Sequence, residues 1–190
     1  MANRNTQGFG LIPANRLGGG PSIQGQGKYK IDAGHSTTIY NGECVKISSG
    51  YVVGGNGSAA NIVGVLNGIF YNDASTLKPT FANFYKATIT PANSEDTTAF
   101  VIDDPFQQYV VAADAATGVT TFLETYDMNS SAGSDTTGKA SSTLDTSVTS
   151  ADGKQFRLLR SAEDPENEDI TAAFFSGIVV STLNSFNGHN

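Results

Sequence analysis

Histidine and cysteine are almost missing from this chain, which has two histidines and one cysteine in 190 residues. A Ser-His-Asp arrangement or a multi-histidine metal centre needs convergent imidazoles, and His35 and His189 are too few to supply them. Cys44 has no second cysteine for a disulfide, and within "GECVKI" it reads as a small hydrophobe rather than a reactive thiol. Long apolar runs are missing too. No stretch approaches the roughly 18 apolar residues that span a bilayer, and the N-terminus lacks an apolar signal-peptide core, so neither a membrane nor a secretory address is expected. The sequons at Asn56 and Asn129 then carry no meaning. Positive charge is scarce: 11 basic residues face 18 acidic ones for a net charge of −7, which excludes a broad nucleic-acid-binding surface. The "GGG" and "GQG" runs lack the lysine and helix start of a phosphate loop and fail the dinucleotide spacing, so no cofactor is expected.

What is present points to strands. The 21 glycines and many Ser, Thr and Asn residues separate short apolar windows. The windows are "KYKID", "STTIY", "ECVKI" running on to "SSGYVV", "NIVGVLNGIFY", "FANFYKATI", "AFVID", "QYVVAAD", "TTFLETY", "KQFRLL" and "AFFSGIVVSTL". With turn-rich connections such as "YNGE", "ISSG" and "DDP", they predict an all-β chain, an antiparallel barrel or sandwich. Val63, Val65, Ile69, Val101, Val110, Phe156, Leu158, Ile178 and Val180 are the expected core.

Two segments break the rhythm. Residues 1–27 read as an extended N-terminal arm ahead of a single β domain, 28–190. Its glycine runs cannot sustain a helix, and its apolar residues Phe9, Leu11, Ile12 and Pro13 are grouped as an anchor would be. Arg4, Arg16, Lys28 and Lys30 all precede the first acid, Asp32, so a basic opening stands against an acidic body. The second segment, residues 129–153, is a Ser/Thr/Gly-rich loop too long for a hairpin, expected either to pack on the body or to meet a partner.

The carboxylates offer little chemistry. Asp103 and Asp104 are adjacent and followed by Pro105, which favours turn capping by Asp104 over a facing catalytic pair. "EDPENED", Glu163 to Asp169, lacks the glycine-centred spacing of a calcium loop and reads as a solvated turn, so no metal is expected. Phe81, Phe84 and Tyr85 could stack on a sugar or base, but their strand spacing favours the core.

Several of these stretches, taken in order, resemble the head decoration (capsid cement) proteins of tailed bacteriophages, in particular those of short-tailed marine phages. "GFGLIPANRLGGGP" is similar to that family's opening segment, "YNGECVKI" to its G-D-x-V strand and "IVGVLNGIFYND" to its V-G-V-x-x-G-x-x-Y strand. "AFVIDDPFQQYVVAAD" resembles its D-D-P segment, and "FRLLRSAEDPENED" its near-terminal hairpin, followed by a strand and a final histidine, here His189. Glu43 stands where the family has Asp, and "SAEDPENED" is more acidic than its counterpart. The resemblance implies an all-β body without enzymatic activity that binds the outside of the major capsid shell. Its partners would then be the major capsid protein and neighbouring copies of itself, with a homotrimer at threefold lattice positions as the first expectation. It would be made in the host cytoplasm and located on the virion surface. An arm of opposite charge to its body is expected to act as the tether, through Arg4, Phe9, Leu11, Ile12, Pro13 and Arg16. The competing expectation is a virion adhesin or head-fibre knob that binds host glycan through residues 129–153.

Overall fold

A computed structural model describes residues 3–21, 25–57, 61–129, 133–147, 150 and 152–186. His189 lies outside the described residues. Among the described residues, eleven strands form two antiparallel sheets that pack as a sandwich-like fold. One sheet has five strands: β1 (Ile12–Arg16), β8 (Gln107–Ala112), β11 (Ser176–Ser181), β10 (Phe156–Ser161) and β9 (Thr125–Tyr126), in that order across it. The other runs β2 (Gln26–Ile31), β7 (Thr97–Ile102), β5 (Gly64–Asn72), β3 (Cys44–Ser48) and β4 (Tyr51–Gly54). Its sixth strand, β6 (Pro79–Ala82), continues from β3 along the same edge of β5.

Local chemistry sets these elements. Ser49 and Gly50 turn β3 into β4, both with positive φ (50° and 88°), the geometry whose twist suits a two-residue hairpin. A register shift between Leu66 and Gly68 lets two residues three apart, Leu66 and Ile69, face the same core, which plain alternation forbids. Gly64 admits β7 closely, since a Cβ there would stand 2.1 Å from the Ile102 carbonyl oxygen.

The six-stranded sheet curls until β2 and β4 approach each other, enclosing Ile31, Val45, Val52, Leu66, Ile69, Ala99 and Val101. Its other face offers Cys44, Val65 and Ile102 to the five-stranded sheet, whose Tyr109, Val111, Phe156, Leu158 and Val179 complete the larger core. The strands β7 and β8 cross from one sheet to the other through the corner Asp103–Phe106.

Eight of the nine expected core residues are buried, but Val110 is not. In "QYVVAAD" the inward positions are Tyr109 and Val111, one residue to either side. A continuous apolar run does not reveal its own phase. Other windows extend too far: "STTIY" contributes a single bridge, Ile39 to Tyr85, and of "TTFLETY" only Thr125–Tyr126 is strand, after a 3-10 turn at Val119–Thr121.

The opening segment corrects the expected division at residue 27. It is part of the body. Leu11 is 2% exposed inside the larger core, and Ile12–Arg16 is the edge strand of the five-stranded sheet. Upstream, the Asn5 N–H donates to Asn167 (2.7 Å), the Arg4 N–H to the Glu166 carbonyl (3.1 Å), and the Asn3 amide to the Asp169 carbonyl (2.9 Å). The glycines here serve close packing: a Cβ on Gly8 would fall 2.2 Å from the Ser141 carbonyl oxygen, and Gly10 holds φ +75° against Gly42. Of the two options for the long loop, its described part takes the first. Ala140, Ser142 and Leu144 are buried, and Leu144 bridges to Ala113 and Met128.

Candidate interaction surface

Cross-strand register places side chains on one face or the other. Tyr109, Val179 and Leu158 lie opposite one another on β8, β11 and β10 and point into the core. The next row therefore points outward, and it reads Ile12, Val110, Ile178, Arg160 across β1, β8, β11 and β10. A parallel row holds Gln108, Val180 and Arg157. The result is an aliphatic stripe on the outer side of the sheet, flanked by Arg157 and Arg160, in which Ile12 is exposed, Val110 half-buried, and Ile178 and Val180 are covered by their neighbours at 5% and 7% exposure.

The edge of this face is built by the opening segment and the corner. Ile12 is 48% exposed, and the Leu17 N–H donates to the Phe106 carbonyl at 2.8 Å, setting two exposed apolar side chains side by side. Arg16 lies with its guanidinium 5.5 Å from the Phe106 ring centre and its Nε 2.9 Å from Asp104 Oδ2. Leu17, Phe106, Gly153, Arg157, Val180 and Leu183 line a depression of about 530 Å³ at the end of the stripe. All four arginines of the chain, Arg4, Arg16, Arg157 and Arg160, lie on the five-stranded half.

The expected contact residues thus divide. Ile12 and Arg16 belong to this surface, and Arg4 is exposed at the acidic turn, paired with Glu166. Pro13 and Phe9 are half-buried, and Leu11 cannot reach a partner because it is enclosed. Phe106, Leu17, Arg157 and Arg160 were not singled out from sequence, and Val110 was expected in the core. The available signal was the arginine at each end of "RLLR", which brackets an aliphatic pair.

The titratable groups are engaged in structure. Asp103 accepts from the Tyr29 hydroxyl (2.8 Å) and Asp104 from the Phe106 N–H (2.9 Å), so the adjacent carboxylates reach into different halves and cap the corner. Burial pushes the Cys44 thiol well up, and the thiol donates to Asn56 Oδ1 (2.9 Å). Burial also raises Glu43 to about 7, against the pull of the Tyr40 N–H on its carboxylate (3.0 Å). In the acidic turn, Asp164 accepts from the Glu166 N–H and the Asn167 amide, and Asp169 from the N–H and hydroxyl of Thr171. No group of three or more metal-ligating side chains occurs among the described residues, nor does a helix long and apolar enough to cross a membrane.

Of the aromatics weighed from sequence, Tyr85 is buried with its hydroxyl on the His35 carbonyl (2.9 Å), and Phe84 stacks on Tyr40 at 5.7 Å. Phe81 departs from the core expectation: it is 72% exposed.

Searches against protein-family models, curated proteins and solved structures find no match to this chain.

Proposed function

We propose that this protein is a non-catalytic component of a bacteriophage head, seated on the outside of the major capsid shell and stabilising it, with copies of itself as neighbours. The observation that carries the reading is the outer face of the five-stranded sheet. There, exposed Ile12, Leu17 and Phe106 stand beside half-buried Val110, and Arg16, Arg157 and Arg160 stand around them. Arginine and apolar side chains at a water-excluding centre are the composition of protein-binding surfaces. The resemblance of the motif order to head decoration proteins supports the same reading, and it supports a trimer as the arrangement on the lattice.

The tether becomes an edge. The opening segment contributes by fixing Ile12, Arg16 and Leu17 on a rigid sheet, so little chain entropy is lost when they meet a partner.

Adding the purified protein to heads that lack it tests the proposal. Saturable binding, with a rise in the temperature at which the heads rupture, is the expected result, because a ligand of the intact shell stabilises it by mass action. Heads that rupture at the same temperature with and without the protein, together with binding to host-surface glycan, would replace this reading with the adhesin.

A further inference from the structure

A second exposed surface lies on the six-stranded sheet, away from the arginine face. Register again arranges it in two rows. Phe81, Phe70, Thr98 and Lys30 lie opposite one another across β6, β5, β7 and β2, and beside them run Gly68, Phe100 and Lys28. The neighbour of Phe100 on β5 is a glycine, and the Phe81 ring centre is 4.7 Å from Phe70 and 6.2 Å from Phe100, nearly parallel to the latter. Lys30 Nζ donates to Thr98 Oγ1 (3.0 Å), and neither Lys28 nor Lys30 pairs with a carboxylate among the described residues. An aromatic cluster with Phe81 72% exposed over half-buried Phe70 and Phe100, beside two unneutralised cations, is an unusual feature on a chain of net charge −7.

We infer that this face docks onto the acidic turn Glu163–Asp169 of a second copy of the chain, head to tail. The two surfaces are complementary in charge. The turn carries five carboxylates and exposes Glu163, Pro165, Glu166 and Glu168; Arg160 and Arg4 offset Glu163 and Glu166, while Glu168 has no cation partner among the described residues. Pro165 supplies an apolar tip for the Phe81 ring between flanking acids. A twofold contact of the aromatic face with itself would set Lys28 and Lys30 against their own copies, so the favourable contact is heterologous, joining the six-stranded half of one copy to the five-stranded half of the next. Phenylalanine rings carry no donor or acceptor to orient a sugar, which favours a protein surface over an acidic polysaccharide. The inference rests on the reading that copies meet one another, and not on the shell.

Sedimentation of the purified full-length protein across the micromolar range tests it without any shell present. The wild type is expected to self-associate, more weakly as salt rises, and Phe81→Ser or Lys28→Glu/Lys30→Glu should each weaken association more than tenfold. Glu163→Lys/Glu168→Lys should do the same. Mixing the two charge-reversed proteins should restore association that neither has alone, and circular dichroism would show both folded. A wild type that stays monomeric throughout, or one whose association survives both Phe81→Ser and Lys28→Glu/Lys30→Glu, overturns the inference. So does a monomer retained on an acidic polysaccharide through Lys28 and Lys30.

Discussion

The two sheets follow the same alternation and present opposite outer surfaces. The five-stranded sheet turns an aliphatic stripe rimmed by arginine outward and relies on the chain's first residues to close its edge. The six-stranded sheet curls around a core of its own and turns out phenylalanines beside lysines. One chain thereby carries two chemically distinct faces on opposite halves. Arginine keeps a fork of donors suited to a desolvated protein contact, whereas lysine is a strongly hydrated point charge suited to salt-sensitive pairing.

The comparison can be broken first at Leu11. If the opening segment is part of the five-stranded half, Leu11→Ala should cost about 2 to 5 kcal/mol in denaturant unfolding, as for other enclosed leucines. Phe81→Ala, on the exposed face of the other half, should shift the same transition little. An unfolding midpoint unmoved by Leu11→Ala would return the segment to the status of a detached arm.

The phase of β8 is the next test. Val111→Ala, in the larger core, should cost about 1 to 3 kcal/mol, and Val110→Ala, on the outward row, clearly less. Equal costs would mean that Val110 is as enclosed as Val111 and faces no open surface.

A third test lies where the halves join. The Leu11 N–H donates to the Gly42 carbonyl (2.8 Å), the Gly42 N–H to the Leu66 carbonyl (2.9 Å) and the Asn41 N–H to the Gly138 carbonyl (2.9 Å), and Glu43 closes this turn. Its folded value of about 7 lies above the ordinary 4.5, so between these the folded protein retains a proton that the unfolded chain has released. Stability from this group is complete below pH 4.5 and falls as pH rises to about 7, by at most about 3 kcal/mol. Glu43→Gln should remove that part of the pH dependence of the melting temperature. The smallest effect belongs to the exposed Arg4–Glu166 pair: Glu166→Gln should change stability by less than about 1 kcal/mol.

Much of the fold was legible because strands with a buried face repeat every second residue. β7 and β10 show it, while the "ECVKI…YVV" hairpin, β5 and β11 were legible as short apolar runs between turn residues. The opening segment was not legible, because its attachment uses one leucine, backbone amides and glycines admitted where a Cβ would collide, none of which leaves a periodic signal. Gly8 and Gly10 look in sequence like flexible linker residues and in the structure are packing residues. The candidate surface was half legible. Ile12 and Arg16 stood out by charge and apolar grouping, but their companions Val110, Ile178 and Arg160 come from strands far apart in sequence and meet only through register. Phe81 escaped for a related reason: strand spacing says that residues alternate, and tertiary packing decides which side is covered.

On the proposed reading, the arginine-rimmed outer face of the five-stranded sheet is the part that meets the shell. Binding of the double variant Ile12→Asp/Arg160→Glu to heads lacking the protein, measured beside wild type, tests it most directly. Both side chains sit on the outward row, so the variant should keep the wild-type fold while its apparent Kd rises more than tenfold, a loss above about 1.4 kcal/mol. A folded double variant that decorates heads with wild-type affinity would contradict the claim.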